Sequence, residues 1–253
     1  HTGSGKSTIA NLITRMYDVV GGSVTIDGVD IKQIKQSSLR GGIAIVSQEI
    51  FIFRGTIADN IRYGKPEATM EEVIAAARAD NAHDFIMALP EGYETMVGER
   101  GVTLSGGQLQ RVAIARTLMQ KAPILIFDDS MSAVDTETDA KIRDALYGMK
   151  RDGILFIISH RITTLCEADK ILVLEGGKLV EMGTHQELIH KPGLYRRIAE
   201  IQDALTQAKW DFGAIAKGYT GEKAVELFLV SSCNLKALCA FLAEHNSYCH
   251  NNK

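Results

Sequence analysis

Near the start of the chain, Thr2-Gly3-Ser4-Gly5 runs into Lys6-Ser7-Thr8 and an apolar-periodic stretch. With His1 before it, this matches G-x-x-x-x-G-K-[ST] from the motif's second position. The residue types suit one task. Glycines let backbone N–H groups reach phosphate oxygens without Cβ clashes. A helix starting near Lys6 aims its positive end at the same anion. Lys6 adds a point charge for β- and γ-phosphates, and Ser7 a hydroxyl for Mg²⁺. A second turn, Leu104-Ser105-Gly106-Gly107-Gln108, feeds another helix start and is an anion site in its own right. Asp128 ends the apolar run Ile124–Phe127, at the edge where α/β sheets bind ligands, and an acid there can hold Mg²⁺ through water. Gln48 and His160 also end apolar runs. Taken alone, a histidine at a strand end is an ordinary structural residue.

These groups need elements to position them. The pattern predicts a helix from Lys6 through Tyr17, then a hairpin at Asp27-Gly28 after Val24-Thr25-Ile26. Ile43–Val46 reads as a short strand. Thr56 to Leu89 reads as mostly helical, with Thr69 capping Met70–Ala79 and Asn81 capping a helix that ends near Pro90. A further helix runs from Ser105 to about Gln120. Ile124–Phe127 and Ile154–Ile158 lack alternation, as parallel strands covered on both faces do. A helix over Thr136–Tyr147 makes the connection between them a βαβ crossover. Lys170–Leu174 and Lys178–Met182 flank Gly176-Gly177 as a hairpin, and helices close the body near Leu205.

Composition narrows the class. The chain has 253 residues, 45% hydrophobic and 23% charged, which excludes a disordered chain. Lys+Arg total 28 and Asp+Glu 31, so charge gives no pull toward nucleic acid. Cys166, Cys233, Cys239 and Cys249 form no disulfide framework, three of them lying in the last stretch. The most apolar window, Ala224–Ala243, contains Glu226, Ser231, Ser232, Asn234 and Lys236, which are costly in hydrocarbon.

The order of the motifs supplies a resemblance. Phosphate loop, Gln48, Leu104–Gln108, Asp128, Ser132-Ala133-Val134-Asp135 and His160 follow one another as in the nucleotide-binding domain of ABC transporters, and the likeness runs from His1 to about Gln207. Thr95–Gly101, Phe53–Ile61 and Gly183–Leu188 resemble segments of the exporter branch. The resemblance implies an α/β fold, a P-loop NTPase (RecA-like) core with an α-helical subdomain inserted at about 50–121 and antiparallel β hairpins. It implies ATP and Mg²⁺ as ligands. Thr2, Gly3, Ser4, Gly5, Lys6, Ser7 and Thr8 would bind the nucleotide, and Ser7, Gln48 and Asp128 the metal. Gln48 would touch the attacking water, and His160 the γ-phosphate. Ser105, Gly106, Gly107 and Gln108 would cap a nucleotide held by a second copy of the domain. The implied partner is a transmembrane domain upstream of His1, at the cytoplasmic face of the cell membrane, and Thr95–Gly101, just before the family's signature Leu104–Gln108, would contact it. Nucleic acid is not an implied partner.

One position departs from the family pattern. A Glu usually follows the magnesium Asp as general base; here it is Asp129. Aspartate is one methylene shorter, about 1.5 Å of reach. About 1 Å of misplacement can cost on the order of 10²-fold in rate. Asp129 beside an intact signature resembles the degenerate half of a heterodimeric exporter, whose partner carries the Glu. The leading expectation is therefore an ATP-hydrolysing export motor with a slow site of its own. A regulatory ATP-binding subunit and a soluble, non-transport ABC ATPase are the alternatives. The loop motif begins without its first glycine, and the expectation is that a strand leading into it lies upstream, inside the sheet. Without that strand these residues are expected to bind ATP poorly and aggregate. The tail, 208–253, has no family counterpart; it reads as an appended helical segment or out-of-frame coding. Its Cys233, Cys239, His245, Cys249 and His250 match no zinc spacing.

Overall fold

A computed structural model describes residues 5–98, 103–128, 140, 142, 144, 153–208 and 226–231. In chain order the elements are α1 (Lys6–Ile13), β1 (Thr25–Ile26), β2 (Val29–Asp30), α2 (Gln36–Gly41), β3 (Ile43–Val46), β4 (Gly55–Thr56) and α3 (Ile57–Arg62). Then come α4 (Met70–Ala79), α5 (His83–Met87), a 3-10 turn at Gly92–Glu94, β5 (Met96–Val97), α6 (Gly106–Met119) and β6 (Ile124–Asp128). The chain continues through β7 (Ile154–Ser159), α7 (Ile162–Leu165), β8 (Lys170–Glu175), β9 (Lys178–Gly183), α8 (His185–His190), α9 (Leu194–Ala208) and β10 (Glu226–Ser231). Two compact units divide it, His1–Leu39 with Ile154–Lys253, and Arg40–Gly153.

In the first unit, β1 and β2 form a hairpin through Asp27 (φ 51) and Gly28 (φ 79). Positive φ at both turn residues is what a tight two-residue hairpin requires. β8 and β9 pair antiparallel around Gly176 and Gly177, also both at positive φ. β7 and β8 carry fully apolar, buried middles: Leu155–Ile158 and Ile171–Leu174. α1 is shorter than expected and ends at Ile13, not Tyr17. Thr14 Oγ1 donates to the Ala10 carbonyl at 2.9 Å, and Arg15 turns left-handed (φ 51). That left-handed residue ends the helix, and the Met16 N–H donates back to the Asn11 carbonyl at 2.8 Å.

In the second unit, β3 and β6 are parallel, with Ile43 opposite Ile124 and Val46 opposite Phe127. β6 is buried along its whole length, as its unbroken apolar run requires. A separate helical core gathers Ile57, Ile61, Val73, Ile86, Val112 and Met119. Thr56, Thr69 and Ser105 each close a capping box with the residue three places on. The cap expected at Thr69 is therefore present. Asn81 does not cap α5, however. It adopts φ 61, and Ala82 occupies the cap position without a side-chain bond. Ala140, Ile142 and Asp144 are helical; the rest of the expected Thr136–Tyr147 helix lies outside the described residues. Within the stretch 208–253, residues 226–231 are a strand, where an appended helical segment was one of the two expectations.

Gly64 shows how tightly α6 is packed. A Cβ there would lie 2.1 Å from the Arg116 carbonyl oxygen, whereas Gly41 faces open space. Gly64→Ala should lower unfolding free energy by about 1–3 kcal/mol through overpacking, and Gly41→Ala should not lower it. Paired denaturant titrations read both values, and equal midpoints for the two variants would contradict this packing.

Candidate functional site

Gly5 sits at the N-terminus of α1 with φ 93 and ψ 7, a left-handed conformation that disfavours a side chain. No side chain caps this end, and no acidic residue lies in the first turn. The first N–H groups of a helix have no partner within it, so this end is a ready cradle for an anion. Ser7 and Thr8 are exposed. A Cβ on Gly5 would stand 3.7 Å from the Gly177 Cα, which places the loop beside the β8–β9 turn. Thr2, Gly3 and Ser4 lie outside the described residues.

α6 starts similarly. Ser105 has extended backbone (φ −66, ψ 161), and its Oγ accepts from the Gln108 N–H at 3.3 Å. The Gln108 Oε1 accepts from the Ser105 N–H at 2.9 Å. Gln108 thus shapes the turn with its side chain, while Gly106 and Gly107 present backbone. This first turn also lacks an acid. α3, α4, α5 and α8 each place Asp or Glu in theirs, whereas α2, α7 and α9 also lack one, so what joins α1 and α6 is the glycine at each start.

The strand ends carry the remaining groups. Asp128 is buried at the end of β6. Because Val46 pairs with Phe127, Gln48 emerges just past the same edge of the β3–β6 pair, and it is exposed. In the other unit, His160 follows β7 and is exposed. Its carbonyl accepts from Gln202 Nε2 at 2.6 Å, and the Ile162 N–H donates to Gln202 Oε1 at 2.9 Å. Asp129, the Ser132–Asp135 segment and Glu99–Gly101 lie outside the described residues.

Comparison with known proteins decides the family. The profile described as ABC transporter matches residues 1–132, more than half of the chain. The chain belongs to the ABC transporter family.

A Bacillus subtilis (strain 168) protein named as a multidrug export ATP-binding/permease protein, YgaD, is 48% identical over 202 residues. A Staphylococcus aureus (strain NCTC 8325) protein of like name is 50% identical over 202 residues. Each match covers 80% of this chain and 35% of the relative, so the chain spans about a third of their length. The solved structure of a bacterial Atm1-family ABC exporter with ATP bound superposes with a TM-score of 0.77 at 46% identity, covering 80% of this chain and 36% of that one. The expected ABC ATP-binding fold is therefore present. Among the described residues, no helix is long and apolar enough to cross a membrane. Also among them, no group of three or more His, Cys, Asp or Glu side chains could hold a metal by itself.

Two side chains that positioning depends on were not visible as such in the sequence. Gln202, 42 residues beyond His160, ties the end of β7 to α9. Arg111 donates to the Asn81 carbonyl at 3.1 Å and to the Gly107 carbonyl at 3.4 Å, with its guanidinium 4.5 Å from the Phe85 ring centre. It fixes the start of α6 against the corner between α4 and α5. Asn81 can offer that carbonyl because its backbone is left-handed.

Asp80 lies fully buried at this corner and accepts from the Ala82 N–H at 3.1 Å. Burial pushes its carboxyl well above the ordinary value, against smaller opposing pulls from that N–H and from Arg111. Burial, and then the nearby Asp80 charge, also raise the Tyr93 phenol to about 12. A carboxyl raised in the folded state favours folding below its unfolded pKa, and that contribution is lost as pH rises to the folded value. Asp80→Asn should flatten the fall in stability from about pH 4 upward. Urea midpoints measured across that range check this; parallel curves for parent and variant would contradict it.

Proposed function

We propose that this chain is the ATP-binding and ATP-hydrolysing motor domain of an ABC exporter. In this reading, two such domains close over ATP and drive substrate export by a membrane-spanning partner, at the cytoplasmic face of the membrane. The observation that carries the reading is the pair of glycine-backed helix starts, at Gly5 and Ser105, each without a first-turn acid. A carboxylate there would repel phosphate and occupy the N–H donors. Lys6 and the Gly5 loop bind the phosphates of one ATP. Ser105, Gly106, Gly107 and Gln108 complete the site held by the second domain. Two separate anion cradles on one chain are more than a single binding site needs, and sharing between two copies uses both.

The oxygen chemistry of Ser7, Gln48 and Asp128 fits a hard cation. Asp128 in particular is a carboxylate buried at a strand end. These residues would hold Mg²⁺, which supplies positive charge to the phosphate oxygens. Gln48 orients water, and His160, steadied by Gln202, stabilises charge on the terminal phosphate. Asp129 stands in the general-base position with a shorter reach than Glu. That supports a slow site in a heterodimer whose partner carries the Glu. The same residue favours the second reading, a regulatory subunit with negligible hydrolysis.

An aromatic surface supports docking to the membrane-spanning part. Phe51 and Tyr63 are 67% and 61% exposed. Phe53 stacks on Tyr63 at 4.3 Å and meets Phe51 edge-on at 5.0 Å. Arg116 braces the cluster, donating to the Phe51 carbonyl at 2.9 Å and the Asn60 carbonyl at 2.8 Å. Rigid exposed aromatics of this kind are typical interface anchors. Substrate choice would belong to the membrane-spanning partner.

ATP binding and turnover by the assembled transporter test the proposal. Lys6→Ala should weaken nucleotide binding at least about 10-fold, the cost of one lost charge-assisted contact. Asp129→Glu should raise turnover at this site on the order of 10²-fold. Unchanged binding in the first variant would overturn the motor reading, and unchanged turnover in the second would overturn the slow site.

A further inference from the structure

Asp80 is a carboxyl with almost nothing to hold it. It ends α4 and is fully buried. Its Oδ1 accepts from the Ala82 N–H at 3.1 Å, a donor shared with the Ala77 carbonyl at 2.7 Å. Its Oδ2 is buried with no hydrogen-bond partner among the described residues. A buried charge with one shared donor is costly, whereas the neutral acid leaves only one hydrogen bond unmade. The groups that face Asp80 are Arg111 from α6 and Tyr93 from the 3-10 turn. Arg78 on α4 and His83 on α5 act on Tyr93 instead, Arg78 through space and His83 with its Nδ1 2.9 Å from the phenol oxygen. Arg111 is therefore the cation that a charged Asp80 would draw.

Arg111 is engaged elsewhere. Its Nη1 donates to the Asn81 carbonyl at 3.1 Å and its Nε to the Gly107 carbonyl at 3.4 Å. The first acceptor belongs to the residue next to Asp80, so the guanidinium stands by the carboxyl without bonding it. The second bond is long and weak. A guanidinium carries five N–H donors in a rigid fork, and a carboxylate fits that fork bidentately, about twice as strongly as a neutral acceptor. Turning toward Asp80 would satisfy Oδ2 and take Nε off Gly107. Gly107 belongs to the turn that opens α6, where Ser105 and Gln108 otherwise bond to each other.

We propose that the Asp80 carboxyl is a proton-controlled latch on the start of α6. Neutral, it leaves Arg111 on the Gly107 and Asn81 carbonyls. When it gives its proton to solvent, the carboxylate takes the guanidinium, Gly107 is released, and the first turn of α6 loosens. The sign follows from burial, which favours the neutral form. The latch holds at low pH and opens as pH rises through the folded-state value of Asp80, well above that of an exposed aspartate. Linkage is reciprocal, so whatever holds Ser105–Gln108 in the latched form also favours the proton on Asp80. Only the consequence for turnover rests on the motor reading: there the turn caps the second domain's nucleotide, and hydrolysis falls as the latch opens. The latch itself does not need that reading.

A pH titration of the full 253-residue chain without nucleotide tests this. Carbon NMR follows the Asp80 carboxyl, nitrogen NMR follows Arg111 Nε, and amide exchange, corrected for its intrinsic pH dependence, follows the turn. The Arg111 signal and the protection of the Gln108 and Leu109 amides should change with the same midpoint as the Asp80 carboxyl. Protection of those two amides should fall about 10-fold above it, the worth of one net hydrogen bond. Asp80→Asn keeps the neutral shape, so it should abolish the midpoint and hold the low-pH values throughout. Arg111→Gln removes the cation, so the Asp80 midpoint should move upward and Gln108–Leu109 should show no step at it. An Asp80 midpoint at the ordinary carboxylate value would overturn the latch. So would an Arg111 signal that ignores that midpoint, or a step that survives in Asp80→Asn. Because no readout involves ATP, a failure of the motor reading leaves these outcomes distinct.

Discussion

The structure depends on helix starts that offer bare backbone N–H groups to an anion. Gly5 and Ser105 achieve this in different ways. Gly5 adopts a left-handed conformation that a Cβ would oppose, and its helix begins without a cap. Ser105 closes a capping box with Gln108, which satisfies the third N–H and leaves the first two directed outward over Gly106 and Gly107. In both, the absence of a first-turn carboxylate keeps the helix dipole uncompensated. Arg111 holds the start of α6, and Gln48, Asp128 and His160 stand at strand ends.

The supports are nonlocal, and they are of two kinds. Arg111 ties the start of α6 to Asn81 and stacks on Phe85, so the signature turn cannot shift without disturbing the α4–α5 corner. That corner contains the fully buried Asp80, whose carboxyl favours the neutral form. Gln202 holds the carbonyl of His160 and thereby links the end of β7 to α9. A strand pinned at its carboxyl end still needs partners along its length. Between β7 and β8 those partners come from residues 226–231.

Local chemistry was legible in the sequence wherever cause and effect lie within a few residues. Thr69 caps α4 because its hydroxyl reaches Glu72 N–H three places on, and Asp27-Gly28 turns a hairpin because both residues tolerate positive φ. The glycine turns before α1 and α6, the strand ends at Gln48, Asp128 and His160, and the α/β class followed from similar short-range patterns. What the sequence concealed depends on competition or distance. Arg15 turns left-handed and ends α1 where the apolar pattern would continue it. Asn81, a good cap by type, takes a left-handed turn and gives its carbonyl to Arg111. The run Leu227–Val230 lies in a stretch of mixed composition, and its pairing is with β7 and β8, about 70 and 55 residues earlier.

The central claim is that two helix starts on one chain each face a nucleotide. Amide exchange of the assembled transporter, measured with and without ATP under non-hydrolysing conditions, addresses it directly. The account predicts that ATP slows exchange at both Gly5–Thr8 and Ser105–Gln108, because backbone N–H groups at each helix start become donors to phosphate. Slowing at Gly5–Thr8 alone, with Ser105–Gln108 unchanged, would contradict it.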